Sequence, residues 1–91
     1  MQVKLYASLR QAAGTKMIEV DYHPAITIRE VLSLVTQQYP VLVKFVWRDK
    51  DELSELVHVF LNGENIRHLS GLDTELKPAD HVDIFPPLVG G

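Results

Sequence analysis

Thr27-Ile28-Arg29-Glu30-Val31-Leu32-Ser33-Leu34-Val35-Thr36-Gln37-Gln38-Tyr39 is the one long stretch of this chain with a sustained helical period. Ile28, Val31, Leu32, Val35 and Tyr39 fall on a single apolar stripe, while Arg29, Ser33, Thr36 and Gln37 face water. Thr27 with Glu30 three positions later fits a capping box, in which hydroxyl and carboxylate each satisfy an orphan backbone N–H. Pro40 closes the helix. Several shorter stretches on either side alternate with a period of two. One helix amid several strands predicts an α+β domain, with a mixed sheet of four to five strands packed on the one main helix.

Upstream, Gln2 to Ser8 alternates as a strand, with Val3, Leu5 and Ala7 on its buried face. Leu9 to Gly14 reads as a single helical turn stopped by Gly14. Met17 to Tyr22 returns as a second strand, which Pro24 ends. Downstream, the apolar run Val41 to Trp47 fits a short helix or a strand, and Pro40 at its first turn favours the helix. Arg48 to Glu55 is a charged, solvated loop. Leu56 to Asn62 is a strand, and Asn62-Gly63 is a strong hairpin signal, so Glu64 to Arg67 returns as a brief strand. Leu69 to Asp73 is a turn or 3₁₀ piece, and Lys77 to Asp80 is a tight turn. His81 to Phe85 is the last strand. The first and last strands are expected side by side at the sheet centre.

Strand parity sends Val3, Leu5, Val57, Val59, Leu61, Val82 and Ile84 toward the helix. Tyr6, Phe60 and Phe85 then share the opposite face, bordered by Ile66. Three aromatic rings on one open face point to a partner site. The other possibility is that Val41 to Trp47 folds over them.

Beyond the last strand comes Phe85-Pro86-Pro87-Leu88-Val89-Gly90-Gly91, with no charged side chain. Residues 1–85 thus form the domain and 86–91 an extended, flexible tail. The two prolines bias it toward an extended course. The two glycines let backbone and carboxylate enter a slot too narrow for any other residue. Fully extended, the tail reaches at most about 20 Å. These features make the Gly91 carboxylate, presented with Gly90, the candidate reactive group.

Other chemistry is excluded in turn. The chain has 91 residues, is 46% hydrophobic and carries a net charge of −3 with both signs scattered. That suits one core of its own and argues against nucleic acid or a membrane surface as partner. With no cysteine there is no disulfide, thiolate metal site or thiol nucleophile, so any sulfur chemistry must use sulfur brought from outside. His23, His58, His68 and His81 have no metal-ligand spacing, and no serine sits in a nucleophile elbow. No metal is therefore expected, and no side-chain catalytic site is found. The absence of a signal peptide or membrane-length apolar run makes the expected location cytoplasmic.

The ending Phe85 to Gly91 after Leu76-Lys77-Pro78-Ala79-Asp80-His81-Val82-Asp83-Ile84 resembles that of the small subunit of molybdopterin synthase, in the MoaD/ThiS family of sulfur carriers. Val3 to Arg10 and the Thr27–Tyr39 helix resemble the family's opening. The resemblance implies a ubiquitin-like β-grasp fold. It implies that an E1-like adenylyltransferase activates the Gly91 carboxylate with ATP, the carrier itself binding no cofactor. A sulfur donor then gives a thiocarboxylate. The thiocarboxylate enters the large subunit of a heterotetrameric molybdopterin synthase and gives sulfur to a pterin precursor. The chain is then the non-catalytic small subunit of a sulfurtransferase. By position, Tyr6, Arg10, Ile66 and Phe85 match contacts with the large subunit; Phe60, from its parity, joins them as a partner-binding candidate, with Pro86, Pro87, Leu88 and Val89 leading to the glycines. The stretches Pro40–Glu55 and Gly63–Asp73 depart from the bacterial pattern, and Asn62–Ile66 with Leu69–Leu76 looks more like archaeal or thermophilic relatives. Some of those also attach to lysines as ubiquitin-like modifiers, and the same Gly-Gly end would serve a carrier whose sulfur goes to tungstopterin, thiazole or tRNA.

Overall fold

In the computed structural model, which describes residues 1–87, the chain's two ends meet at the middle of one sheet. Strand β1 (Gln2–Leu5) is followed by helix α1 (Ala7–Ala13), strand β2 (Met17–Glu19) and the long helix α2 (Ile28–Gln38). A 3₁₀ turn at Pro40–Leu42 leads to α3 (Val43–Val46) and a small hairpin of β3 (Trp47–Asp49) and β4 (Glu52–Leu53). Then come β5 (His58–Leu61), β6 (Glu64–Asn65), 3₁₀ turns at Ile66–His68 and Gly71–Asp73, and β7 (Val82–Phe85). The main sheet runs β2-β1-β7-β5-β6, with β1 and β7 parallel and the other pairs antiparallel. The first and last strands are neighbours, as expected, and β7 is the central strand. A five-stranded mixed sheet crossed on one face by a helix is the β-grasp arrangement.

The core forms as the two periodicities require. Val3, Leu5, Val59, Leu61, Val82 and Ile84 from the sheet meet Ile28, Val31, Leu32 and Val35 from α2, all buried. Each such side chain contributes roughly 1.5–3 kcal/mol on leaving water. The Asn62-Gly63 turn has positive φ at both residues, 50° and 86°, the mirror-image geometry that matches strand twist. Its tip is tied to the turn before β7. Asn62 Nδ2 donates to Asp80 Oδ1 at 2.8 Å, the Lys77 N–H donates to Asp80 Oδ2 at 2.8 Å, and the His81 N–H donates to Asn62 Oδ1 at 3.0 Å. Partial burial works to raise Asp80, but the Lys77 N–H, the Asn62 amide and the charges of Lys77 and His81 together hold its carboxyl below the usual value.

Several sequence expectations are corrected. The first strand stops at Leu5 rather than Ser8, because Ala7 takes φ 51° and turns the chain into α1, whose Leu9 is buried in the core. That helix is longer than one turn and ends on Gly14 as expected, with φ 76° and its N–H on the Arg10 carbonyl at 2.9 Å. The second strand stops at Glu19. Thr36 is buried rather than solvated: its hydroxyl donates to the Leu32 carbonyl at 2.9 Å and accepts the Trp47 indole N–H at 3.2 Å. Val41 to Trp47 holds the favoured short helix, with Leu42 and Val46 buried and Val41 and Val43 exposed. The charged loop is exposed but contains the β3–β4 hairpin, where Arg48 pairs with Glu52 at 3.8 Å and Glu55 at 3.3 Å. The return strand stops at Asn65, whose side chain caps the next turn by accepting the Arg67 N–H at 2.9 Å.

Only half of the capping box forms. Thr27 Oγ1 accepts the Glu30 N–H at 3.3 Å, while the Glu30 carboxylate faces His23 Nε2 at 2.9 Å. Thr27→Ala should therefore lower stability by about 1 kcal/mol; an unchanged melting temperature would exclude the cap. His23 Nδ1 also lies 3.1 Å from the Pro24 carbonyl, and only a protonated imidazole can donate to both acceptors. The Pro24 carbonyl first, and the Glu30 carboxylate second, raise its pKa above 6.5. The linked stabilisation is fully present below the unfolded value and is lost as pH rises through the folded one. In an NMR titration Glu30→Gln should lower the His23 midpoint; a midpoint that does not move rules out the Glu30 contact.

Candidate functional site

The face of the sheet turned away from α2 carries the aromatic residues. Strand alternation puts Lys4 on β1, His58 and Phe60 on β5, and Asp83 and Phe85 on β7 on this side. In the register, His58 stands opposite Phe85 and Phe60 opposite Asp83. Tyr6 continues the β1 ladder by one bond, its N–H donating to the Ile84 carbonyl at 3.2 Å. That bond sets its ring flat on Phe85, with centroids 4.1 Å apart and planes 12° apart. Phe60 meets Phe85 edge-on at 5.5 Å and 80°. Pairs in these geometries contribute about 0.5–1.5 kcal/mol each beyond area burial. The Tyr6 hydroxyl donates to Asp83 Oδ1 at 3.1 Å, and Lys4 Nζ lies 5.4 Å from the Tyr6 ring centre.

Beside this cluster lies a hollow of about 390 Å³ lined by Ala7, His58, Phe60, Phe85 and Pro86. Four of the five offer it apolar surface, and His58 is its one titratable side chain. Its rim is where the tail begins: Phe85 ends the central strand, and Pro86 and Pro87 follow, both half-buried. Ala7 takes the left-handed conformation at this rim, which strains any residue but glycine. Alanine has the smallest side chain that carries that strain, and it leaves the hollow open.

Of the residues singled out from sequence, the structure brings Tyr6, Phe60, Phe85 and Pro86 together, with Pro87 next along the chain. The segment Val41–Trp47 does not line the hollow. Arg10 is exposed on α1, three residues after Ala7 and so on the same side of that helix, and it makes no ion pair among the described residues. Ile66 is a correction. It starts a 3₁₀ turn instead of continuing β6, and that turn drives it fully into the core, away from any partner. Leu88, Val89, Gly90 and Gly91 lie outside the described residues. Sequence reasoning missed two residues of the hollow. His58 was legible from its parity with Phe60; Ala7 was not, because alternation carried the first strand past it.

The described residues hold no group of three or more His, Cys, Asp or Glu side chains placed to bind a metal, and no helix long and apolar enough to cross a membrane. What the site offers is a rigid aromatic surface next to the root of a narrow tail. It can bind apolar groups and aim a chain end.

A family model described as the ThiS family matches residues 3–91. The chain is 31% identical over 91 residues to small archaeal modifier protein 1 of Haloferax volcanii, covering 100% of both. The solution structure of the same-named protein of Methanosarcina acetivorans is 38% identical, with a TM-score of 0.85 over 99% of this chain and 94% of that one. A chain of the BexX/CysO complex of Amycolatopsis orientalis is 28% identical, with a TM-score of 0.78 over 99% and 98%. A Pyrococcus furiosus protein assigned as subunit 1 of molybdopterin converting factor is 27% identical, with a TM-score of 0.74 over 96% and 95%.

A central aromatic ring in such a cluster should act as an anchor. Phe85→Ala is expected to weaken association with a protein that docks on this face by on the order of 2 kcal/mol, with a smaller effect on folding. Titration calorimetry giving wild-type affinity would remove Phe85 from the interface.

Proposed function

The chain belongs to the ThiS family of ubiquitin-like sulfur carriers, and from that premise we propose that its working group is the Gly91 carboxylate. One observation carries the reading: the aromatic cluster of the sheet's open face runs directly into Pro86, the first residue of the tail. A resting carboxylate is a poor acyl donor. An E1-like adenylyltransferase therefore joins it to AMP from ATP, releasing pyrophosphate. Sulfur at the sulfide level, delivered by a donor, attacks the acyl carbon and displaces AMP, leaving a thiocarboxylate. In the primary reading the chain then serves as small subunit of molybdopterin synthase: the tail enters the large subunit, whose groups supply acid–base chemistry, and the sulfur passes to a pterin precursor. Likeness to the Pyrococcus furiosus protein supports this. The carrier needs only a firm docking face and a thin end.

A second reading has its own support. The chain is more nearly identical to two small archaeal modifier proteins, at 31% and 38%, than to that protein, at 27%. The same adenylated Gly91 attacked by a lysine amine would give an isopeptide bond, and the chain would act as a protein modifier.

Deleting Gly91 should abolish either activity and hardly move the melting curve, because the last core strand ends at Phe85. The carboxylate would be displaced by one residue, about 3.5 Å, where an error of about 1 Å already harms in-line attack. Gly90→Val should act likewise by putting a branched Cβ into the slot. Each variant would be incubated with activating enzyme, ATP and sulfide and weighed intact. Wild type should gain the mass difference between sulfur and oxygen; the same gain in the Gly91 deletion would refute the mechanism. Adding a lysate and searching by mass spectrometry for lysines that carry this chain's C-terminal peptide in isopeptide linkage separates the two readings.

A further inference from the structure

We propose that Asn62-Gly63 is a self-modification site, a succinimide-forming turn that the Asn62–Asp80–His81 bonds restrain and whose product can no longer make those bonds. The proposal is independent of the sulfur-carrier reading. The Gly63 backbone nitrogen, giving up its proton to water, attacks Asn62 Cγ. A C–N bond closes a five-membered ring, and the side-chain amide leaves as ammonia. Water then opens the ring at either carbonyl, giving aspartate or isoaspartate. Glycine favours the step because no Cβ shields its nitrogen. Here that nitrogen is accessible. Gly63 is exposed, its N–H makes no hydrogen bond among the described residues, and even an added Cβ would meet nothing within 4 Å. The chain's other asparagine, Asn65, precedes β-branched Ile66, which crowds the attacking nitrogen.

What restrains Asn62 is where its amide points. In the sheet β5 lies between β7 and β6. The amide reaches to the β7 side, where Nδ2 donates to Asp80 Oδ1 at 2.8 Å and Oδ1 accepts the His81 N–H at 3.0 Å. The Asn62 N–H adds a bond to the His81 carbonyl at 3.1 Å. Gly63 lies the other way, in the turn that crosses to β6. Cγ must give up both side-chain bonds to face the Gly63 nitrogen, so ring closure waits on local opening of the hairpin tip. After the reaction the amide donor is gone. Aspartate at position 62 sets a second carboxylate against Asp80, both ionised at neutral pH, and an attraction becomes a repulsion. Isoaspartate also adds a methylene to the backbone of a turn held at φ 50° and 86°. Either product releases the tie between the hairpin and the start of β7, at the end of that strand remote from Phe85.

The test holds the full chain at neutral pH and physiological temperature beside a synthetic peptide of residues 51–67. Tryptic digestion and fragmentation locate the mass gain of an amide turned acid. In the peptide Asn62 should convert well ahead of Asn65. In the folded chain its conversion should be slower by about tenfold or more, since opening costs two hydrogen bonds. Asp80→Ala should move the rate toward that of the peptide. Thr27→Ala, which weakens α2 without touching the hairpin tip, should leave it unchanged. Equal rates in folded chain and peptide, or equal acceleration by the two substitutions, overturn the inference. For the product, Asn62→Asp should lower the melting temperature by several degrees. Adding Asp80→Asn should restore most of that loss, because the exchanged amide can donate to the new carboxylate while its oxygen still accepts the Lys77 N–H. A melting temperature that Asn62→Asp does not lower, or that the double variant does not recover, also overturns the inference.

Discussion

Strand β7 is the joint on which the molecule depends. It pairs with β1 on one side and β5 on the other, so it cannot form until both ends of the chain have come together. Its four residues then divide their work by parity. Val82 and Ile84 point into the core under α2, while Asp83 and Phe85 point out and organise Tyr6 and Phe60. One register therefore fixes both stability and docking face. A slip of one residue would bury Asp83 and Phe85 and expose two core aliphatics, which is why such a slip is strongly disfavoured. The Asn62–Asp80–His81 bonds hold that register from the hairpin tip.

The same parity explains what could be read from the sequence. The α2 stripe, the two central strands, the Asn62-Gly63 turn and the aromatic face all follow from local periodicity, and the structure agrees with them. The misreadings occur where a long-range contact overrides a local pattern. Thr36 looks solvated by helical spacing, but Trp47 returns from the β3–β4 hairpin to give it a hydrogen bond. Ile66 reads as the third residue of a return strand until Asn65 caps a turn there. Glu30 fits a capping box, yet His23, seven residues upstream, competes for its carboxylate. Ala7 continues an alternation that its own left-handed backbone breaks. The pairing of residues 26–28 with 74–76, through the Ile28–Thr74 and Leu76–Ile26 bonds, has no sequence signature.

Strain and burial are separated in a way that suits a carrier. The core and α2 are apolar and closely satisfied, and no buried side-chain polar atom of the described residues lacks a partner. Of the two alanines with left-handed backbone, Ala25 lies in the loop before α2 and Ala7 sits at the hollow, beside His58, which has no side-chain partner among the described residues. Backbone strain of this kind costs on the order of 1–3 kcal/mol and persists only where the surroundings over-determine it. Here the β1 ladder before Ala7 and the buried Leu9 after it do so. Glycine would adopt the same backbone without strain, but it would loosen the junction between strand and helix that presents Tyr6.

On the proposed reading, a chain that works through its own terminus has no need of a catalytic pocket, because its partners would supply the acid–base groups and the activation energy. It must hold one end at a defined distance from a defined surface. Rooting the tail in the central strand meets that demand better than rooting it in an edge strand would. β7 is paired with β1 up to Ile84 and with β5 up to Phe85, which limits fraying at that end, and the two prolines that follow limit the directions the tail can take. Sulfur transfer and lysine conjugation place the same geometric demand on that root, so the fold alone suits both. On the proposed reading, the choice between them lies in which protein docks on the face that Tyr6, Phe60 and Phe85 build beside that root.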